Sequence, residues 1–556
     1  MLRIKNVHLI NIFVLAILAY LFLMFGNQVV SLTNPDEVFY TMTAKEMVQQ
    51  NTWMTPYLFG QPQFEKPIFL YWLMRAGFLV FGINSFSARF FPSLFGILGV
   101  IAIYLLAVVG FKNQKKAFLA SLIMMSSGLY IGLSRSVFTD LIFTVFILFS
   151  MLSFFWAYSN SQRKWPGVLL AFFFAGCAVL SKGPLGFLIP ALVIFLFLAV
   201  RKELKFLVSR HFFFGFLLML AVSLPWYILM IQKYGQTFTG EFFYNDHIRR
   251  LLEAEHVAAD TWHFYPLTMV WGLFPWSVYL VIAVFLLLKN LYKRSEPICL
   301  FCAAWILGTL LIFQPAHSKL SSYIFPLFPA LAIVTGDFIY EAMVNKRWPR
   351  ALFTATLITG IVLVIFDAAL LVAVLFFPNQ ILAYISSVGP MYLWLLLFLA
   401  ITIAYFAAFL KKKYLISFYA LIFFIPAMFC IVPLVDSKVE PFVSSRDVCD
   451  YLLKNHKIKN TIITSKFYAR GVHYYTDMPV AVIDIPGKPY FSPHPIPFLD
   501  SDKKVADFIR KQGKTYCVLK KSSVEDIDRQ SKEFDYQVIK TIGNVFVVEI
   551  APRKGK

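Results

Sequence analysis

Two motifs set carboxylates beside one another and beside an amine. Asn34-Pro35-Asp36-Glu37 carries two adjacent acids, and Phe64-Glu65-Lys66-Pro67 carries an acid next to a cation. Both follow the first apolar run of the chain. Further on, Asp140, Lys182, His247, Arg250, Lys319 and Tyr323 stand at the ends of other apolar runs. A charge at membrane depth is costly unless it is paired or faces a cavity, so each charged residue here is a functional candidate. No Walker or Rossmann glycine fingerprint accompanies them, so phosphate would be held by side chains rather than by a nucleotide loop. A carboxylate beside that phosphate can deprotonate or orient an attacking hydroxyl, as in glycosyl transfer. Cations stabilise the departing phosphate. The chemistry these residue types suit is displacement of a lipid phosphate from a sugar.

The elements that must position them are membrane helices. Of 556 residues 59% are hydrophobic and 15% charged, where soluble domains carry roughly 25% charged residues. Apolar runs recur at roughly 7–30, 88–111, 116–133, 137–158, 166–181, 183–200, 211–232, 264–288, 297–314, 320–341, 351–377, 390–410 and 414–435. They predict a polytopic α-helical membrane domain over residues 1–435 with about thirteen transmembrane helices. A net charge of +21 would suggest nucleic acid in a soluble protein. Here the cations gather in alternate short loops, among them Arg3/Lys5, Lys112/Lys115/Lys116, Arg201/Lys202/Lys205/Arg210 and Lys411/Lys412/Lys413. The positive-inside rule puts those loops and the amino terminus in the cytoplasm, and an odd helix count puts the carboxyl tail outside. The expected partner is the membrane, with no nucleic acid. The first helix has no small-residue cleavage pattern and is expected to be retained as the targeting signal.

The outer side then holds two long loops, 31–87 and 233–263. Asn34 as N-cap, Pro35 at N1 and Glu37 at N3 predict a helix start closed by a capping box. Apolar residues recur at three- and four-residue steps from Tyr40 through Val48, which predicts an amphipathic helix lying on the membrane. Residues 67–82 predict a second helix, too short to span. Residues 436–556 carry ordinary charge and read as a small α/β soluble domain. Its helix-like stretches are 445–455, 501–512 and 523–533, its strand-like ones 461–465, 479–484, 515–520 and 536–550, and Pro486 to Pro497 forms a long loop. Cys449 and Cys517 are the cysteines outside the apolar region, and spacing alone leaves their pairing open. Cys299-x-x-Cys302 reads as core, and His247, His256 and His263 are too loosely spaced for a metal motif, so no metal site is assigned.

The order of motifs resembles the bacterial aminoarabinose transferase family. It runs Asp36-Glu37, Glu65-Lys66-Pro67, Asp140, Lys182-Gly183, His247-Ile248-Arg249-Arg250, Phe274-Pro275-Trp276 and Lys319-Leu320-Ser321-Ser322-Tyr323. That family belongs to the GT-C membrane glycosyltransferases and is related to protein O-mannosyltransferases. The resemblance covers about 1–435, and 436–556 in placement and size. It implies an inverting enzyme of the bacterial inner membrane with a polyprenyl-phosphate sugar donor, undecaprenyl phosphate. The acceptor would be lipid A or another envelope acceptor on the periplasmic face, with residues 436–556 as a periplasmic domain. It implies Asp36 as principal catalytic carboxylate, with Asp140 and Glu65 beside it. The binding set is Lys66, Tyr40, Lys182, His247, Arg250, Lys319 and Tyr323. No organic cofactor is expected, and the sequence leaves a divalent metal requirement open. Where the family usually carries Arg two positions after the Asp-Glu pair, this chain has Phe39, so the motifs specify reaction class more than sugar or acceptor.

Bland roles stand beside these. Glu37 serves equally as a capping residue and Glu65 as an ion-pair partner, while Lys182 can snorkel and Arg135 and Arg249 can anchor headgroups. The rival functions are a protein O-mannosyltransferase-like enzyme and a lipid-linked sugar transporter. Transporters place charges near the bilayer midplane, often within internal repeats, and neither feature is evident here.

Overall fold

A computed structural model describes residues 2–254, 257–290, 296–382, 385–483, 496–530 and 534–553. The molecule is a polytopic helical membrane protein carrying a small α/β domain. Lipid offers no partner to backbone N–H and C=O groups, so the apolar runs resolve into helices. Each predicted span falls on a helix or a helix pair. Among the described residues, seven helices are long and apolar enough to cross a membrane, or up to nine if each of two bent pairs is one span. Val7–Leu23, Leu185–Arg201, Pro297–Phe313 and Tyr414–Phe429 are shorter apolar helices.

The spans expected at 264–288 and 116–133 are not straight. Phe264–Gly272 and Ser277–Asn290 meet at 119°, and Gln114–Met125 and Gly128–Ser134 at 67°. Pro275 causes the first break, since it lacks an N–H and biases Phe274 away from the helical region. The two corners are stitched together, with Gly128 N donating to the Phe274 carbonyl (2.9 Å) and Trp276 Nε1 to Ser126 Oγ (3.0 Å). Trp276 is fully buried. The Phe-Pro-Trp motif therefore shapes the bundle.

The outer loop departs from expectation at its first helix. Asp36–Gln49 starts without a side-chain cap, because Asn34 Nδ2 donates to Ser445 Oγ (2.7 Å) and Glu37 is held elsewhere. Nor is its burial confined to one apolar face. Ten of its residues are buried, since it is covered by the bundle on one side and by the sheet domain on the other. A hairpin, β1 (Tyr57–Leu58) and β2 (Gln61–Pro62), and the short helix Phe69–Phe81 complete the loop.

Glu37 is fixed by Arg89 near the start of the Ser85–Phe111 helix. The guanidinium grips both carboxylate oxygens, Nε to Oε1 at 2.8 Å and Nη2 to Oε2 at 2.6 Å. Its other N–H groups donate to the carbonyls of Asn27, Val30 and Ser31, so all five are used. Glu37 also accepts from Thr33 and from Val137 N (3.0 Å). Both residues are buried, at 2% and 4% exposure. One ion pair thus joins the end of the first helix, the Asp36 helix, the Ser85 helix and the segment leading to Asp140.

After the helix Phe424–Val443 the chain forms a six-stranded sheet of β3 (Ile462–Ser465), β4 (Val480–Ile483), β5 (Phe498–Leu499), β6 (Thr515–Lys520), β7 (Phe534–Ile542) and β8 (Val545–Pro552). The order is β5-β4-β3-β6-β8-β7, parallel from β5 to β6 and antiparallel beyond. The stretch expected as one strand at 536–550 is a hairpin turning at Gly543, whose φ of +60° suits glycine. Helices Arg446–Asn455, Asp502–Gln512 and Lys521–Gln530 match expectation, and Ala469–Thr476 is an addition to it. Residues 486–495 of the Pro-rich loop and 531–533 of the last predicted helix lie outside the described residues. Cys449 and Cys517 are buried free thiols, not a disulfide.

Glu37→Gln is expected to destabilise the protein by about 3–5 kcal/mol, because Arg89 keeps a buried charge without its partner. Thermal unfolding in detergent measures this. In the wild type, burial raises the Glu37 carboxyl, and Arg89 and Thr33 outweigh it to leave the group below its usual 4.5. The stabilisation is therefore complete above pH 4.5 and lost as pH falls through the lowered folded value; Glu37→Gln lacks that acid-side loss.

Candidate functional site

Asp140 and Lys182 occupy helix ends that suit their charges. Asp140 lies in the first turn of Thr139–Ser159 and Lys182 is the last residue of Lys164–Lys182, so each complements the local helix dipole. They form a direct ion pair. Lys182 Nζ also stands 4.7 Å from the centre of the Tyr323 ring. Arg250 Nη1 donates to Tyr323 Oη (3.2 Å), and Arg250 Nη2 pairs with Asp246 Oδ1 (3.2 Å). Asp246 Oδ2 accepts from Lys66 Nζ at 2.7 Å, and the same amine donates to the Glu65 carbonyl (3.0 Å). Five of the predicted residues, with Asp246 as link, thus form one continuous polar chain drawn from five separate segments.

Lys319 lies beside this chain. Its Nζ donates to Asp260 Oδ1 (2.7 Å), and His317 Nδ1 lies 2.7 Å from Asp260 Oδ2. Those hydrogen bonds, from Lys319 first and then His317, hold the Asp260 carboxyl below its usual range. The loop is tied to the chain through its backbone, with Ser318 N donating to the Arg250 carbonyl (3.1 Å).

Asp36 and Glu65 each act on a buried tyrosine. Asp36 is exposed at its helix start, in contrast to its buried neighbour Glu37. Tyr40, one turn on, packs 6.1 Å from the Phe138 ring and 6.3 Å from Tyr71. Burial first, then the Asp140 carboxylate, the neighbouring Tyr71 phenol and the Asp36 carboxylate, hold the Tyr40 phenol well above its usual value. It is therefore neutral and able to donate. Burial raises Tyr71 likewise, with Glu65 adding to the effect. Asp36 and Asp140 thus bear on one phenol, and Glu65 on the next.

Lys66, Asp246 and Arg250 have side-chain exposures of 13%, 11% and 17%. They are dry enough for charge to count and open enough for a ligand oxygen to reach. Lys66, Lys182 and Arg250 against Asp140 and Asp246 leave one net positive charge. Three cations to two carboxylates is a charge balance suited to an anion.

Some candidates fall elsewhere. The His247 side chain lies outside the described residues, as does His256. Arg249 pairs with Glu253 at 2.7 Å. Arg135 donates to the Phe22 and Phe25 carbonyls and rims an apolar groove of about 710 Å³ that the polar chain does not line. Glu296, Cys299 and Asp337 have ligand atoms within 4.8 Å of one another. Lys116 Nζ, however, reaches Asp337 at 2.7 Å and Glu296 at 3.9 Å, putting an ammonium where a metal would sit. Sequence reasoning missed Arg89, Asp246 and Asp260. The available signal was charge balance, since clustered cations at membrane depth require counter-charges.

A model of the dolichyl-phosphate-mannose-protein mannosyltransferase family matches residues 9–236. An uncharacterized protein of Aquifex aeolicus (strain VF5) is 30% identical over 339 residues, covering 61% of this chain and 75% of its own. The undecaprenyl phosphate-alpha-4-amino-4-deoxy-L-arabinose arabinosyl transferase of Photorhabdus laumondii is 29% identical over 323 residues, 57% of each chain. The chain spans 52–64% of the length of curated transferases of that name. The crystal structure of ArnT from Cupriavidus metallidurans bound to undecaprenyl phosphate superposes with TM-score 0.77, covering 96% of this chain and 97% of that one. At 18% identity the likeness shows the fold.

The Asp140–Lys182 pair generates a double-mutant prediction. Asp140→Asn and Lys182→Met are each expected to destabilise the protein, and their combination by less than the sum, with a coupling of about 0.5–3 kcal/mol. Thermal unfolding of the four proteins measures it; additive losses would mean the two charges do not interact.

Proposed function

We propose that this chain, which belongs to the dolichyl-phosphate-mannose-protein mannosyltransferase family, moves a sugar from undecaprenyl phosphate to lipid A or another envelope acceptor. The observation that carries this reading is the convergence of Lys66, Lys182 and Arg250 from separate segments on one chain of ion pairs, three cations to the two carboxylates Asp140 and Asp246. The names of the similar transferases support the donor. The positive-inside distribution supports a cytoplasmic amino terminus, a site on the periplasmic face of the inner membrane and a periplasmic carboxyl-terminal domain.

The cations hold the donor phosphate, with Tyr323 and neutral Tyr40 as hydrogen-bond donors at its edge and Lys319 extending the positive surface. The acceptor hydroxyl oxygen bonds to the anomeric carbon while that carbon's bond to the phosphate oxygen breaks. The electron pair leaves with the phosphate, releasing undecaprenyl phosphate, and the hydroxyl proton passes to Asp36. Negative charge grows on the leaving oxygen, where fixed cations stabilise it without reorganising. Asp140 keeps Lys182 in place, and Glu65 assists Asp36 from beside Tyr71.

Mass spectrometry of lipid A from cells expressing the chain tests this. A sugar-sized increment is expected with the wild type, reduced by about 10²–10⁴ in Asp36→Asn at equal protein level. Normal turnover in Asp36→Asn would remove Asp36 as the base. Sugar found on secreted protein instead of lipid would favour the protein O-mannosyltransferase-like reading.

A further inference from the structure

The sheet domain reaches the candidate site through the helix Ala469–Thr476. It packs against Asp36–Gln49, where Lys45 Nζ donates to the Tyr474 carbonyl (2.8 Å) and to Asp477 Oδ1 (2.7 Å). Glu46 Oε1 lies 3.8 Å from His473 Nε2. The approach is tightest at Gly471, where a Cβ would overlap the Asn34 side-chain oxygen. That closeness brings in the preceding residue. The Arg470 guanidinium carbon stands 4.6 Å from the centre of the Phe39 ring.

Phe39 is three residues from Asp36, and its ring lies 5.0 Å from Tyr40, whose phenol feels both Asp36 and Asp140. Tyr71 feels both Glu65 and Arg470. A cation from the soluble domain therefore packs on the helix that begins at Asp36. It comes from a different layer than Lys66, Lys182 and Arg250, which gather around one position. A transfer enzyme must hold two substrates at one carboxylate. A guanidinium matches two phosphate oxygens at once, and stacking on an aromatic face orients its donor edge.

We propose that Arg470 binds a phosphate group of the acceptor lipid and turns its hydroxyl toward Asp36, making the sheet domain part of the acceptor site. This rests on the sugar-transfer reading above.

The test uses full-length protein in detergent as wild type, Arg470→Gln and Arg470→Lys. Native mass spectrometry measures affinity for bisphosphorylated lipid A, for the same lipid after phosphatase treatment, and for undecaprenyl phosphate. Arg470→Gln is expected to lose about tenfold or more for the phosphorylated lipid only, since it removes a charged hydrogen-bond donor from that phosphate. Arg470→Lys should recover part of the loss. Unchanged affinity in Arg470→Gln overturns the proposal, as does a wild type indifferent to the phosphates. An equal loss for all three ligands also overturns it, because that is what a merely structural arginine produces. Arg470-dependent binding by a wild type that transfers no sugar would uphold the binding site and overturn the transfer reading.

Discussion

The site depends on one buried ion pair. Glu37 and Arg89 are both out of water, and desolvation makes such pairs poor sources of net stability. What this one contributes is position. Its hydrogen bonds gather the end of the first helix, the start of the Asp36 helix and the backbone before Asp140. Asp36 follows from it, because its neighbour is clamped and the next side chain must point elsewhere. Asp140 follows as well, three residues beyond the amide that Glu37 accepts from. Two carboxylates far apart in sequence thereby come to bear on the same tyrosine.

The second charge system shows how pairing differs with purpose. At Lys116 the ammonium meets Asp337 and Glu341, both at 2.7 Å, between packed helices of the bundle. That arrangement locks helices together. Lys66, Lys182 and Arg250 instead stand at helix ends and on loops, and their carboxylate partners are themselves on several segments. A ligand phosphate can replace part of such a network, because the loops carrying it are not packed as a core is.

Much of this was legible in the chain. Apolar runs located the helices, since lipid forces backbone self-satisfaction, and alternation in 436–556 located most of the sheet. The candidate residues were found because charges at the ends of apolar runs are expensive. The capping box at Asn34 failed for a tertiary reason. Local chemistry offered Glu37 a helix N–H, but Arg89, 52 residues away in sequence, offered a stronger bidentate contact. The helix from Tyr40 was legible, but its cover by the sheet domain was not, because only the tertiary partners at Tyr474 and Asp477 reveal it. Straight spans were misjudged at Phe274-Pro275, where hydropathy averages across a corner. Asp246 and Asp260 were passed over because a lone acid in a long loop has no local signal; only its partners identify it.

Measuring undecaprenyl phosphate affinity for wild type, Lys66→Met and Arg250→Met in detergent addresses the central claim that these cations hold a leaving phosphate. A loss of about tenfold or more is expected in each variant, with unfolding still cooperative. Affinity equal to the wild type in both variants would contradict it, and would place the phosphate away from the chain of ion pairs.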